Sequence, residues 1–355
     1  MRGLSDWREA VVLSLTEPGL RRYMRGPLLR MAPVLTLTAL LCAPARHAYT
    51  PHYTQQTLDP NLINDAQLNQ TIGPNSKGSA VVRAQILLDR AHFSCGQIDG
   101  EYGVNLEKTV AAFQRNRNLP FEGDMGPATW EVLNTDAAPA LTTYSIAEED
   151  MAGPFGPVPA DLMKQAKLKN LGYESPLAGL AEKFHSSPKL LQALNPGKKF
   201  DQVGEQLMVP NVITMPPGNA ASVVVLKSDS SVSAYDANGK ILAYYRATIG
   251  SEHDPLPVGD WKILGVARNP VFHYNAELFW DAHNPNSKAL IAAGPRNPVG
   301  VVWIDLSKEH YGIHGTPDPS KIGHTLSHGC IRLTNWDAWE LADMVKPGTP
   351  ATLED

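Results

Sequence analysis

The chain has 355 residues, of which 43% are hydrophobic and 19% are charged, and its formal net charge is -5. This composition is typical of globular proteins and argues against the disordered and fibrous classes, while the length predicts two or three domains. No run of lysine and arginine is long enough to form a surface that follows phosphates, so nucleic acid is not expected as a partner.

Residues 1–45 have the pattern of an export signal. A basic stretch ending at Arg30 precedes an apolar run from Met31 to Cys42, and Ala43-Pro44-Ala45 follows as a candidate cleavage site. The apolar run suits a signal-peptide core and is shorter than the roughly 20 residues of a membrane span. We therefore expect an exported protein of the periplasm or cell wall, with a lipid-modified Cys42 or an uncleaved membrane anchor as alternatives. A signal of ordinary length would begin at Met24.

Only three cysteines occur, and Cys42 would be removed with the signal. Export permits a disulfide between Cys95 and Cys330. That pairing would consume the one thiol with several histidines near it in sequence, so we expect Cys330 to be free.

The first organised block is expected at residues 73–136, after a polar stretch, 46–72, that lacks sustained periodicity and is predicted to be a linker. Apolar residues recur at helical spacing around Val81–Leu87 and Val110–Phe113. Two Gly/Asp-rich turns, within 96–103 and 121–130, each lead into a helix start. They indicate an internal half-repeat.

This block resembles the small all-α, three-helix peptidoglycan-binding domain found on many cell-wall enzymes. Gln114 after Phe113 and the closing Thr129-Trp130 carry the resemblance. It implies attachment to the wall. The alternative interpretation is that Ile98, Tyr102, Phe113 and Trp130 are only core residues of a helical bundle.

Residues 141–212 show two short amphipathic helices between a strand near Tyr144 and one near Val209. The resulting βααβ order is similar to that of an α+β LysM module, a family that recognises glycans containing N-acetylglucosamine. An insertion around residues 148–172 interrupts the likeness. A purely structural spacer is the alternative.

Residues 221–355 are expected to form a mostly β domain, with one helix over Trp336–Val345 near the end. Asp236–Gly239 is predicted to be a hairpin turn. Between two strands, Asn269–Ala293 is a long aromatic insertion that would either line the substrate or pack over the sheet. Runs rich in β-branched and aromatic residues predict the strands at Val223–Leu226, Val232–Tyr235, Ile241–Tyr245, Trp261–Val266 and Gly300–Ile304.

Three histidines and a cysteine, His314, His324, His328 and Cys330, fall within seventeen residues of this domain. An imidazole near a cysteine accepts the thiol proton or stabilises the thiolate that attacks carbonyl carbons. Arg332 adds a charged fork suited to a carboxylate. The alternatives are a buried structural cysteine, and a zinc site formed by His324, His328 and Cys330.

The sequence His314-Gly315, a gap of about a dozen residues and then Ser327-His328-Gly329-Cys330-Ile331-Arg332-Leu333-Thr334-Asn335 resembles the signature of the L,D-transpeptidase (YkuD) family. The likeness extends over residues 221–355. It implies that Cys330 is the nucleophile and His314 the general base, with no metal or organic cofactor. Because Gly315 follows His314, a main-chain carbonyl fits better than a side chain as the group that orients the base.

The resemblance also implies roles around the cysteine. His328 would lie beside the sulfur, and the N–H groups of Gly329 and Cys330 would form the oxyanion hole. Ser327 and Arg332 would shape the loop and the substrate end of the site.

The implied reaction is acyl transfer on a peptidoglycan tetrapeptide stem. Cys330 would attack the carbonyl of the L-centre of meso-diaminopimelate and expel D-alanine, leaving a thioester. The acceptor stays open: a second stem, giving a 3–3 crosslink, a lipoprotein lysine, a free D-amino acid, or water, which would make the enzyme an L,D-carboxypeptidase. Carbapenems would acylate the same sulfur. A catalytically inactive wall-binding scaffold is the non-enzymatic alternative.

Overall fold

A computed structural model of the chain describes residues 58–121, 123–280, 284, 286–327 and 329–355. The predicted export signal and the first part of the predicted linker lie outside the described residues. Within the described part of the chain, no helix is long and apolar enough to cross a membrane.

The helices of the N-terminal block pack around large buried side chains. Phe113 and Trp130 are buried, as is Ile98, so all three serve the core. Helix α4 starts at a proline, whose fixed φ suits the first helical position. The elements are α1 (Pro60–Ile63), α2 (Ser79–Arg90), the short strand β1 (Phe93–Ser94), α3 (Val104–Asn116) and α4 (Pro127–Leu133).

The prediction of a linker over 46–72 is wrong for its described part. Residues 60–63 form α1, and Ile63, Leu68 and Ile72 are buried in the cores of the folded protein. The spacing of these apolar residues follows no regular period, which is why their burial was not visible in the sequence.

The middle block has the predicted order of strand, two helices and strand. Its strands pair antiparallel, with Leu141 opposite Pro210. Each main helix begins with a serine cap followed by proline, Ser175 for α6 and Ser187 for α7. The elements are β2 (Leu141–Ser145), α5 (Leu162–Gln165), α6 (Pro176–Lys183), α7 (Pro188–Leu194) and β3 (Gln206–Pro210). The insertion carries α5 and a 3₁₀ turn over Glu149–Met151.

The C-terminal block is mostly β, as predicted. Its elements are β4 (Ser222–Leu226), β5 (Ser231–Tyr235), β6 (Ile241–Arg246), β7 (Thr248–Ile249), β8 (Gly259–Arg268), β9 (Phe272–Asn275), β10 (Lys288–Ile291), β11 (Val302–Leu306), β12 (Gly312–His314), β13 (Ile331–Arg332), α8 (Asn335–Met344) and β14 (Pro350–Glu354). Two further 3₁₀ turns span Ala276–Leu278 and Pro319–Lys321.

The large sheet has the strand order β1-β6-β5-β4-β14-β8-β11-β12-β13-β7. Asp236 and Lys240 close the predicted hairpin between β5 and β6. The aromatic insertion forms a separate antiparallel hairpin, β9 with β10, and its residues 281–283 and 285 lie outside the described residues. The motif that begins at His314 and ends at Asn335 includes the end of β12 and all of β13, near one edge of the sheet.

The N-terminal block contributes a strand to the large sheet, which the sequence did not predict. Strand β1 pairs in parallel with β6, so that Phe93 lies opposite Tyr244, and the two rings stack with centroids 6.0 Å apart. A second apolar core joins α2 to the middle block through Val82, Ile98 and Leu190. The three blocks therefore share cores and backbone hydrogen bonds.

Buried ionisable groups occupy the junction of the three blocks. The carboxylate of Asp89 in α2 contacts Nδ1 of His185 at 3.0 Å, and the His185 ring stacks on Trp336. Ser94 donates a hydrogen bond to Asp337 in α8 at 3.1 Å. Burial raises the pKa of Asp337 to about 8, with nearby Asp89 acting in the same direction.

Replacing Asp337 by asparagine should make stability less dependent on pH. The unfolded carboxyl has a pKa of about 3.9, so between about pH 4 and 8 the folded state holds a proton that the unfolded state releases. The free energy of unfolding therefore falls as pH rises through this window. In Asp337→Asn the group is always neutral, and we expect the loss of stability between about pH 6 and 8 to shrink by about 1 kcal/mol or more. Urea unfolding at several pH values measures this, and parallel curves for both proteins would contradict it.

Candidate active site

Pairing of β12 with β13 brings the motif residues together. The strands are parallel, with His314 directly opposite Arg332. Cys330 directly precedes β13, and the charge of Arg332 acts on both Cys330 and His314. Of the residues predicted as nucleophile and base, His314 therefore lies at the end of β12 and Cys330 lies immediately before the neighbouring strand β13.

The imidazole of His314 is buried and held on two sides. Its ring stacks on Trp303 of β11, with centroids 5.4 Å apart and planes 17° apart. Its Nδ1 lies 2.7 Å from the carbonyl oxygen of Gly315, which accepts the hydrogen bond. Burial lowers the pKa of His314 to about 3, and the charge of Arg332 adds to the effect. The ring is therefore neutral near pH 7, with Nδ1 protonated and Nε2 free to accept a proton.

The Gly315 carbonyl is fixed by the packing of its own residue. A methyl group at Gly315 would come within 2.2 Å of Oδ1 of Asn335. That amide accepts a hydrogen bond from the Val301 N–H at 3.1 Å, and its Nδ2 donates to Glu182 of α6 at 2.9 Å. Asn335 and Glu182 thus position the turn that orients His314. The sequence indicated no role for either residue. Asn335 was only the last residue of the motif, and Glu182 belongs to the middle block.

The sulfur of Cys330 is half-buried beside the turn before β12. Sγ lies 3.8 Å from the carbonyl oxygen of His310. Burial raises the pKa of the Cys330 thiol, while the Gly312 N–H and the charge of Arg332 act against this shift. Near pH 7 the thiol of Cys330 and the imidazole of His314 are therefore both neutral. A preformed thiolate, which the sequence interpretation allowed, is disfavoured.

The loop before Cys330 has a tightly specified backbone. Ser327 is buried, and its hydroxyl donates to the carbonyl oxygen of Cys330 at 2.6 Å. Gly329 has φ of 89°, and a methyl group there would lie 2.8 Å from the ring of Tyr311. Both features explain why glycine precedes the cysteine. His328, which the sequence placed beside the sulfur, lies outside the described residues.

Arg332 is a partly buried cation whose charge acts on both Cys330 and His314. Burial lowers its pKa, and the nearby Cys330 opposes that shift. A guanidinium keeps its proton at neutral pH even so. Among the described residues, no carboxylate forms an ion pair with it. It borders a cavity of about 240 Å³.

The alternatives of a disulfide and a metal site can be compared with this geometry. Cys95 is buried in the core of the N-terminal block, and both it and Cys330 are free thiols. His324 is exposed, with Nε2 3.4 Å from the amide nitrogen of Asn105. No three side chains of His, Cys, Asp or Glu converge as a metal site requires anywhere in the described part of the chain.

The pH dependence of Cys330 alkylation tests whether the Cys330 thiol and the His314 imidazole are both neutral. Because the thiol pKa is raised and His314 stays neutral, the rate of reaction with iodoacetamide should climb steadily from about pH 6 to 9. Mass spectrometry of the Cys330 peptide at timed quenches measures this rate. A plateau from about pH 5 to 8 would instead indicate a thiolate–imidazolium pair.

Comparison with solved structures gives partial likenesses. An L,D-transpeptidase from Mycobacterium smegmatis aligns with a TM-score of 0.31 and 20% identity, covering 43% of this chain and 65% of that one. L,D-transpeptidase 3 from Mycobacterium tuberculosis, in complex with a faropenem-derived adduct, gives 0.32 and 17%, covering 44% and 71%.

Sequence comparison gives longer and more specific matches. A family model described as the L,D-transpeptidase catalytic domain matches residues 220–353, and one described as a putative peptidoglycan binding domain matches 77–133. A putative L,D-transpeptidase YkuD from Bacillus licheniformis is 30% identical over 179 residues, which are 50% of this chain and 92% of that protein. Its counterpart from Bacillus subtilis is 29% identical over 181 residues, again 50% and 92%. These matches confirm the catalytic and peptidoglycan-binding domains predicted from the sequence.

Proposed function

Because the chain belongs to the L,D-transpeptidase family, we propose that it cleaves tetrapeptide stems of peptidoglycan through a thioester on Cys330 and transfers the acyl group to an amine. The observation that carries this proposal is the register of β12 and β13. In this register His314 lies opposite Arg332, which follows Cys330 by two residues, and Nδ1 of His314 is held by the carbonyl of Gly315.

The first half-reaction consumes the thiol proton. Nε2 of His314 takes the proton from Sγ as the sulfur attacks the carbonyl carbon of the L-centre of meso-diaminopimelate. The C–N bond to D-alanine then breaks, and the imidazolium returns the proton to the departing amine. The products are the Cys330 thioester and free D-alanine.

The low pKa of His314 favours proton transfer from the imidazolium to the departing amine of D-alanine. A base with a pKa of about 3 gives up its proton readily once it has been protonated. It is a weak acceptor from a thiol of raised pKa, so proton transfer and attack on the carbonyl are expected to occur together. The N–H groups of Gly329 and Cys330 are the proposed donors to the tetrahedral oxyanion.

The second half-reaction transfers the acyl group. An acceptor amine attacks the thioester, His314 takes the amine proton, and the same proton restores the thiol. We propose a second stem as the main acceptor, which gives a 3–3 crosslink. A free D-amino acid or a lipoprotein lysine would give exchange or attachment, and water would give a carboxypeptidase.

The remaining parts of the proposal concern location and inhibitors. We propose export through residues 1–45, attachment to the wall by residues 77–133, and a LysM-like contribution to glycan binding from the middle block. Carbapenems would acylate Cys330, since they present a strained carbonyl to the same nucleophile. The Mycobacterium tuberculosis structure is a complex with a faropenem-derived adduct.

Product analysis tests the proposal. The protein without residues 1–45 is incubated with disaccharide-tetrapeptide, with and without an added acceptor amine, and the products are separated by mass. Release of D-alanine together with crosslinked dimers supports a transpeptidase. D-alanine release without dimers at any acceptor concentration would replace it with a carboxypeptidase, and no release would contradict the proposed function altogether.

A further inference from the structure

We propose that the insertion of the middle block forms part of the substrate pocket, and that Gln165 recognises an amino-acid group whose carboxylate binds Arg332. This inference rests on the proposed function, which it extends to a substrate-binding residue outside the catalytic domain. The ligand group is an amino acid end, with an ammonium and a carboxylate on one carbon.

The insertion is fastened to the catalytic domain just ahead of β11. The Leu171 N–H donates to the carbonyl oxygen of Ala293 at 3.2 Å, and the Arg296 N–H donates back to Leu171 at 3.0 Å. A methyl group on Gly294 would lie 2.3 Å from the Leu171 carbonyl oxygen, so glycine permits this close approach. The guanidinium of Arg296 pairs with Glu174 at 2.8 Å. These contacts fasten the segment after α5 to the catalytic domain, and α5 itself lies against β10.

A cavity of about 240 Å³ lies between α5 and the catalytic loops. The insertion supplies Leu162 and Gln165 to its wall. The catalytic domain supplies the opposite wall, including Thr316, Asp318, Lys321 and Arg332. Arg332 connects this cavity to the proposed catalytic residues, because it lines the cavity and its charge acts on both Cys330 and His314.

The charges of the cavity predict what it binds. Lys321 and Asp318 neutralise each other in an ion pair of 2.9 Å. Arg332 has no carboxylate partner among the described residues, which leaves one uncompensated cation beside the cavity. A guanidinium in this position favours a carboxylate ligand.

Gln165 supplies a hydrogen-bond acceptor for the ammonium group of the proposed ligand. Its side chain is only 8% exposed, and its Nε2 donates to the carbonyl oxygen of Pro159 at 2.8 Å. That hydrogen bond fixes which end of the amide is the free one. Oε1 is buried and has no hydrogen-bond partner among the described residues. A buried oxygen without a partner costs free energy, and a ligand N–H in the cavity would remove that cost.

An ammonium and a carboxylate on one carbon would satisfy both groups at once. Two components of the proposed reaction carry that pair: the side-chain end of meso-diaminopimelate in a stem, and a free D-amino acid acting as acceptor. We infer that discrimination in favour of this pair depends on Gln165.

Binding measurements on the full mature chain test the inference. A Cys330→Ala background prevents turnover, and calorimetry compares two tetrapeptides, one with meso-diaminopimelate and one with 2-aminopimelate, which keeps the carboxylate and lacks the ammonium. We expect roughly tenfold tighter binding of the first, and loss of that preference in Gln165→Leu. Gln165→Glu keeps an acceptor oxygen and, in its protonated form, the donation to the Pro159 carbonyl oxygen, so it should retain the preference.

The possible results of these binding measurements distinguish a recognition role of Gln165 from a structural one. If Gln165→Leu weakens both peptides equally, or Gln165→Glu behaves like it, the residue is only structural and the inference is overturned. Binding of free D-methionine that depends on Gln165, with no change toward the stems, would assign the site to the acceptor. Failure of the unmutated enzyme to release D-alanine would contradict the proposed function separately, because the binding preference is measured without turnover.

Discussion

Replacing Cys330 by alanine is expected to abolish D-alanine release from tetrapeptide stems, with a fall in rate of about 10⁴-fold or more. The reason is that the proposed reaction passes through a covalent bond to Sγ, for which alanine has no substitute. The neighbouring geometry should survive, because the Ser327 hydroxyl holds the backbone carbonyl of residue 330 and not its side chain. Coupled detection of D-alanine over hours measures the residual rate.

The chain offers a matched control for this substitution. Cys95 is buried in the N-terminal core, where burial raises the pKa of its thiol well above the usual value. Cys95→Ala should keep full activity and lose only about 1 kcal/mol of stability. A Cys330→Ala protein that releases D-alanine at the original rate would rule out the assignment of the nucleophile.

Replacing His314 by asparagine is expected to lower the rate of acyl transfer by about 10² to 10⁴-fold. The asparagine Nδ2 occupies a position like that of Nδ1 and is able to keep the hydrogen bond to the Gly315 carbonyl. Nothing in asparagine replaces Nε2, so proton transfer from the thiol and to the leaving amine is lost. Steady-state D-alanine release measures the effect, and we expect it in kcat more than in KM.

His324 provides the corresponding control, because it is an exposed histidine of the same motif region. His324→Asn should leave the rate within about twofold of the unmodified enzyme, since no role in proton transfer falls to it. If His324→Asn were the damaging change and His314→Asn the harmless one, the assignment of the base would be reversed.

Much of the catalytic domain was accessible from the sequence, because its signals are local. The strands around Val223, Val232 and Trp261 follow β-rich runs, and the hairpin turn contains Asn238-Gly239. The motif and its resemblance to the family were sufficient to predict Cys330 as the nucleophile and His314 as the base. The carbonyl that orients His314 followed from the absence of a side chain on Gly315.

The parts that could not be predicted depend on contacts between distant segments. No periodic pattern indicates that Gln165 reaches the catalytic cavity, because the insertion has little regular structure and is held by backbone hydrogen bonds to 293–296. The sequence of a two-residue strand such as β1 also does not indicate that it pairs with β6. The protonation state of the pair also needed the structure, since burial is what raises the pKa of Cys330 and lowers that of His314.

The most direct test of the central claim is the intact mass of the protein, quenched in acid during turnover of tetrapeptide. The account predicts a mass increase equal to the stem peptide without its D-alanine, located by digestion on the peptide that contains Cys330 and absent from Cys330→Ala. Release of D-alanine with no adduct on Cys330 at any quench time, or an adduct on a different side chain, would contradict it.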